Sequence, residues 1–570
     1  MASEHDGEFP RRRGGSTPRL LVVLGSLGLT TCLAGGSAVA QITSTATTAV
    51  SANWTALTWD NGIPGSRAGD VANANASASV NFTIDQPITL KTLNHAQSGG
   101  FHVYFNTNAI NPAAITFDSG QVGTNATLLF TRSNGDSLSM KLNAPIVLNS
   151  TLDAAWGRVQ NREMGFGGVI SGTGGLNVNY ASVNLNGTGH IFRFGDQSTA
   201  SPNTYSGGTT LTTRSSVFAT AKFQAYKTSA FGTGGLSLAT AAVDLQNFDQ
   251  TIGGLGGGSG ASKISSLSNT AGTTTLTLDF PDSRGPFTFS GAILAGGSAR
   301  VVAVTKQGTG LQTLSGTNTY TGPTSVLGGT LAIDSTGSIS TTSGVTLNGS
   351  GATFRYDSTT PLSVPLTLTQ GTLTGTGTIA AAVMAGGGSR LSPGLLQGTQ
   401  AFSNGLRLGG QGAYRWEIAN PAGTLGTGWD LIDVTGGVLD LSGLDGASAS
   451  TKYVLDLTTL AGSTPGAMAG YDPTQAATFQ MFRAAAGGIR LPGSITAVGG
   501  EDLTGLFSLS TSGWANTLPS GGFELRVSPG GTGIDLVTVA AVPEPGLLSV
   551  VAGGMAAAGW LLRRRRRPLQ

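Results

Sequence analysis

The sequence predicts an all-β fold, built as a solenoid of short stacked strands. Three observations carry this. Gly accounts for 89 of 570 residues and charged residues for only 11%, against roughly 7% and 25% in an average globular chain. Hydrophobic residues still reach 39%, so the chain can bury a core, and Gly lacks the three-residue period of collagen. Alternating runs such as "ATLLFT" (126–131), "TTTLTLDF" (273–280) and "VTLNG" (345–349) are punctuated by Gly, Asn or Asp every 8 to 12 residues or so, with no sustained helical period. Finally, fragments recur. "NTYSGGTTL" from Asn203 returns as "NTYTGPTSV" from Asn318, and repetition separates a stack of coils from a sandwich.

The formal charge of +2 hides an uneven distribution. Nine of the 31 basic residues lie at the two ends, as do Glu4, Asp6 and Glu8. The body carries 22 basic and 26 acidic residues, a net of about −4. That excludes the basic face a nucleic-acid partner requires. The one cysteine, Cys32, falls in the N-terminal apolar segment. A mature chain without it has no disulfide and no thiolate metal site, so burial and backbone hydrogen bonding must hold the fold.

Residues 1–40 read as a secretory signal peptide. Arg11, Arg12, Arg13 and Arg19 precede an apolar core from Leu20 to about Leu33, followed by Ala38-Val39-Ala40. That is a small-x-small cleavage site, with cleavage expected between Ala40 and Gln41. The core is short for a membrane anchor, and Thr31 before Cys32 spoils a lipoprotein site. The general secretion machinery is the expected route.

Residues 41–404 form the expected β-helical repeat region. "NWTALTWDNGIPGSRAGDVANA" (53–74) opens it, with Trp54 and Trp59 as cap or core aromatics. Partial copies of a repeat follow at Ile170 to Asn179 and Pro202 to Leu211, with related fragments at 231–238, 373–381 and 386–394. Lys306 to Ile333 reads Lys-x-Gly-x-Gly-x-x-x-Leu-x-Gly-x-Asn-x-Tyr-x-Gly-x-Thr, then Gly-Gly-Thr-Leu. This pattern resembles the autotransporter-associated β-strand repeat. The resemblance implies a right-handed parallel β-helix in which Leu311, Leu314, Val326, Leu331 and Ile333 face inward, Gly turns the corners, and each coil is stable only when stacked. Asn of "NTY" is expected at a turn and Tyr on a coil face.

From Gly405 the texture becomes richer in aromatics and carboxylates, and residues 405–540 are expected to form a C-terminal β-rich module. "WDLIDVTG" (429–436) resembles the final module of such passengers, ahead of more antiparallel structure. "FELRVSPGGTGIDLVTV" (523–539) reads as a closing hairpin that caps an otherwise open edge.

Residues 541–570 read as a sorting signal. Val542-Pro543-Glu544-Pro545 precedes Gly546 to Leu562, 17 uncharged residues, the lower limit for a membrane-spanning helix. Arg563, Arg564, Arg565, Arg566 and Arg567 follow and hold the tail on the cytoplasmic side. The prolines keep the motif extended. The three parts closely resemble the PEP-CTERM sorting domain. That implies a transient inner-membrane intermediate, cleavage by an exosortase-type peptidase, and transfer to the outer surface or extracellular matrix. No autotransporter-type barrel is expected; the tail stands in its place.

Chemistry is sparse. His95 and His102 lack metal-ligand spacing and read as surface polar residues. "GGLGGGSGAS" (253–262) lacks the aspartates of a calcium repeat and reads as a flexible turn. No nucleophile elbow occurs, and Glu163 is an isolated charge. Asp430 with Asp433, and Asp244 with Asp249, are the pairs that a β-helix polysaccharide lyase or glycoside hydrolase could use. At a spacing of three, Asp430 and Asp433 should point to opposite faces of a strand, and Asp244 and Asp249 should cap backbone. The sequence therefore predicts no catalytic, cofactor-binding or metal-binding residues. It predicts a structural or adhesive surface protein whose partners are exopolysaccharide or cell-surface glycans.

Overall fold

The computed structural model describes residues 41–540, apart from 48–49, 77, 98–101, 133–138, 157–162, 181–189, 197–200, 214–220, 298 and 447. The expected signal peptide with Ala38 and Ala40, and the expected sorting tail with Val542 to Pro545 and Arg563 to Arg567, lie outside the described residues. Gln41 is exposed, its side chain donating to the Ala68 carbonyl at 3.1 Å, and the first strand follows at Thr43–Thr45.

The chain winds through three parallel sheets in rotation. Ala126–Arg132, Leu152–Trp156, Leu176–Tyr180 and Thr209–Thr213 stack on a first face. Val103–Thr107, Met140–Leu142, Glu163–Phe166 and His190–Phe194 stack on a second. Ile88–Leu90, Ile115–Phe117, Ile146–Leu148 and Ile170–Gly172 stack on a third. Ile146 pairs with Ile170 and Thr324 with Val345, so a compact coil takes 24 or 21 residues. Alternation does the folding. Ile146 and Leu148 are buried on either side of half-buried Val147, and each coil adds its inward residues to one axial core. Phe130, Trp156, Phe192 and Phe223 run through that core, with ring centroids 4.6 to 5.7 Å apart in successive contacts. Such packing adds to the area each ring buries. The first coil is plugged by Trp54 and Trp59, 4.7 Å apart, with the Trp54 indole donating to the Pro64 carbonyl at 2.9 Å.

Parallel pairing continues across Gly405. Ala413–Ile418 pairs parallel with Tyr453–Ala461, which pairs parallel with Phe507–Gly513. Coils lengthen here: Tyr453 to its partner Phe507 is a far longer circuit than Thr324 to Val345. The expected antiparallel character is therefore narrower than the sequence texture suggests. Antiparallel ladders among the described residues are a short one at Thr464–Pro465 and the expected hairpin, Phe523–Val527 with Gly533–Thr538, laid against Ala477–Ala484. The hairpin covers the edge of the second face, where an open strand would invite pairing with another chain. No helix among the described residues is long and apolar enough to cross a membrane.

Two further expectations are corrected. Leu311 is only half buried; its neighbour Gln312 faces inward instead. "GGLGGGSGAS" is not simply a turn: Leu255–Gly257 is a strand of the first face. Its glycines are used for close packing, since Cβ atoms on Gly254 would strike the Phe287 ring.

Candidate functional site

The repeat motif resolves into a corner device. Asn203 is 1% exposed. Its Oδ1 accepts from the Ile170 N–H at 2.9 Å and its Nδ2 donates to the Ala230 carbonyl at 2.6 Å. One side chain thus bridges the coils before and after it. Tyr205 is fully buried, its hydroxyl 2.6 Å from that of Thr209, which donates onward to the Phe231 carbonyl at 2.9 Å. Asn318, Tyr320 and Thr324 repeat the set. Asn318 accepts from Ile293 N–H at 2.9 Å and donates to Ser338 at 3.0 Å, and Tyr320 meets Thr324 at 2.7 Å. Burial pushes both tyrosines well above the ordinary phenol pKa. Asn stands at a corner as expected, with its side chain turned inward, and the expectation of Tyr on a coil face is corrected: its side chain is internal.

The remaining motif residues are also internal fasteners. The Lys306 ammonium donates to the carbonyls of Gln307 (2.6 Å), Gly308 (3.1 Å) and Gly328 (3.3 Å), tying two stacked turns, and lies 4.8 Å from the centre of the Phe280 ring. Burial, partly opposed by Asp279, lowers its pKa to about 8. Gly308 has φ +69°. A Cβ on Gly316 would collide with the Gly291 carbonyl, and one on Gly322 with that of Val302.

What the coils present outward is different in kind. Thr251, Thr277, Thr305, Ser325, Thr346 and Thr367 stand in unbroken register on the third face. On the first face Thr127, Asp153, Asn177, Thr210 and Ser237 do the same, with Asp153 accepting from Asn125 at 2.9 Å and Asn177 at 2.8 Å.

Between these two faces runs a trough. Three depressions, of about 570, 630 and 390 Å³, share lining residues end to end: Asn125, Asn149 and Thr151 join the first two, Gly208 and Thr210 the last two. Its floor is the recurring Gly-Gly pair. Gly174, Gly207 and Gly234 form an inner column in which each Cβ would strike the backbone of the preceding coil. Gly175, Gly208 and Gly235 form an outer column, their carbonyls accepting from Leu152, Leu176 and Thr209 at 2.8 to 2.9 Å. Phe287 and Arg284 close one end. Sequence reasoning noted the Gly-Gly fragments and missed the trough, because their alignment at one corner depends on loop lengths elsewhere.

The carboxylate candidates do not converge. Asp430 is fully buried, one oxygen accepting from Gly398 N–H at 2.8 Å and the other from Glu417 N–H at 3.0 Å. Burial first, and Glu417 second, raise its pKa well above the usual range. Asp433 instead forms a two-pronged ion pair with Arg483 on the neighbouring strand. Asp244 caps the Gln246 and Leu267 N–H groups at 3.0 and 2.9 Å, and Asp249 that of Thr275 at 2.7 Å. His95 is fully buried, its Nδ1 against the Ala74 carbonyl, which corrects the surface role expected for it. His102 is exposed and stacks 6.2 Å from Tyr104. Glu163 begins a strand of the second face. Among the described residues no group of three or more His, Cys, Asp or Glu could hold a metal.

The model of a family described as Passenger-associated-transport-repeat matches residues 304–333. The match falls on the segment whose motif resembles autotransporter-associated repeats, and the fold around it is a parallel β-solenoid like that expected of a passenger. A search of curated proteins and one of solved structures find no match to the chain.

Proposed function

We propose that this protein is an exported, surface-sorted structural or adhesive β-helix of an extracellular matrix or biofilm, released by an exosortase-type peptidase after general secretion. The coil is right-handed, the sense that twisted parallel strands favour. One observation carries the reading: the motif side chains of the repeat are spent on joining coils, while the outward ladders are short, polar and mostly uncharged. Such a rod offers many weak, equivalent hydrogen-bonding positions to a glycan, and avidity multiplies them. The C-terminal apolar segment serves as a membrane anchor only before processing, and nucleic acid is not a partner.

The chemistry of the carboxylates supports a non-catalytic role. Both oxygens of Asp430 are committed to backbone N–H groups, and Asp433 to Arg483. A lyase or glycoside hydrolase would need such groups free and facing one substrate.

The test is the mass of the mature chain in envelope and extracellular fractions, together with adhesion of a deletion strain. The proposal expects an extracellular chain beginning at Gln41 and ending near Pro543 to Pro545, and reduced adhesion on deletion. An intact arginine block confined to the inner membrane, or unchanged adhesion, would overturn it.

A further inference from the structure

We infer that the trough between the third and first faces is a binding cleft for a linear, neutral polysaccharide, with Phe287 and Arg284 forming its end subsite. The inference deepens the adhesive reading by giving it a site and a ligand class.

The shape argues for a chain lying along the solenoid axis. The trough crosses successive coils, which repeat every ~4.8 Å, a step of the order of one pyranose unit. Its walls supply a carboxamide or hydroxyl at nearly every coil: Asn149, Asn125, Thr151, Asn177, Thr210. These groups both donate and accept, as sugar hydroxyls require. The end subsite adds an aromatic face. Phe287 is half exposed and lies over Gly235 and Gly254, where any side chain would displace it. It packs edge-on against Phe280, 4.9 Å away. Gln312 sets this geometry: its side chain takes both backbone groups of Leu255, at 2.9 and 2.8 Å. The intervening strand is thereby free to begin outward, at Phe287. Arg284 is fixed by a 3.0 Å bond to the Thr233 carbonyl and is exposed beside the ring.

Charge selects the ligand. Asp118 lines the first depression and Arg284 the last, so the trough has no run of cations for a polyanion. A neutral glycan meets no repulsion anywhere along it.

Gly208 is the independent sign that the trough is kept open. Its φ is not positive, and an added Cβ would meet only the Gly235 carbonyl, at 3.4 Å, an ordinary contact. Neither packing nor backbone conformation demands glycine there, yet the position is bare where two depressions join.

The experiment uses the mature full chain in affinity electrophoresis against laminarin, a soluble mannan and polygalacturonate, with Gly208→Gln, Arg284→Ala and unaltered protein. The expected result is retardation by at least one neutral polymer and none by polygalacturonate. Gly208→Gln should weaken that binding about tenfold or more, and Arg284→Ala severalfold, with thermal melting unchanged. Binding to none of the polymers, binding to polygalacturonate alone, or unaltered binding in both variants would overturn the inference. If Gly208→Gln misfolds, Arg284→Ala, on the exposed 3-10 turn Asp282–Arg284, decides alone. The assay is made on purified protein, so a failure here leaves the surface address standing, and a wrong address leaves a positive binding result standing.

Discussion

The two copies of the Asn-Thr-Tyr motif make the same bonds at different corners of the molecule. The copy at Asn203 stacks on Ile170 of the third face and hands the chain to the first face at Thr209. The copy at Asn318 stacks on Ile293 of the second face and hands it to the third at Thr324. The motif is therefore a portable corner, indifferent to which pair of sheets it joins. What differs is the position after the packed glycine: Gly208 in the first copy, Pro323 in the second. The first lines the trough, and the second does not. Scaffold and surface can thus be read residue by residue within one motif.

The largest expected effect comes from the packed glycines. Gly316→Ala should cost roughly 3 kcal/mol in denaturant unfolding, because the methyl group meets a backbone carbonyl that cannot yield. A cost near zero would mean the coils are looser than the stacking implies. Asn203→Ala and Asn318→Ala should each cost about 2 kcal/mol, chiefly because each orphans a buried N–H, that of Ile170 or of Ile293. Unequal costs would break the equivalence of the two corners. Tyr205→Phe and Tyr320→Phe should each cost about 1 kcal/mol, because Thr209 and Thr324 keep a second partner.

The smallest effect separates the copies. Lys306 has no counterpart in the Asn203 copy. Its folded pKa of about 8 lies below its ordinary value of 10.5, so between those pH values the unfolded chain binds the extra proton. Stability contributed by this group should rise with pH from about 8 toward 10. Lys306→Met should flatten that rise in pH-dependent unfolding midpoints, and an unchanged slope would show that the ammonium is held at its ordinary pKa by its three carbonyl partners.

Much of the scaffold was legible because its signals are local. Alternation marked the strands at Ala126–Arg132 and Gly272–Asp279, turn residues marked the closing hairpin, and a pair of tryptophans marked the N-terminal plug. The misses share a cause. Gln312, beside a leucine expected to face inward, gives no local sign that it turns into the core, because the Leu255 backbone groups it bonds lie two coils away. Gly253 to Ser262 reads as a flexible turn until Phe287 is laid upon Gly254. His95 reads as exposed until its strand register is known. The trough was invisible for the same reason: Gly174, Gly207 and Gly234 are separated by circuits of different length. Only the stacking of whole coils brings them into one column.

The measurement that tests the account most directly is the paired unfolding of Gly207→Ala and Gly208→Ala. These adjacent glycines share a corner and differ only in what lies against them. The account predicts a loss of about 2 kcal/mol or more for Gly207→Ala and within about 0.5 kcal/mol of the unaltered chain for Gly208→Ala. Equal, large losses would mean that both glycines serve the scaffold, and that the trough is a by-product of coil packing rather than a surface kept open.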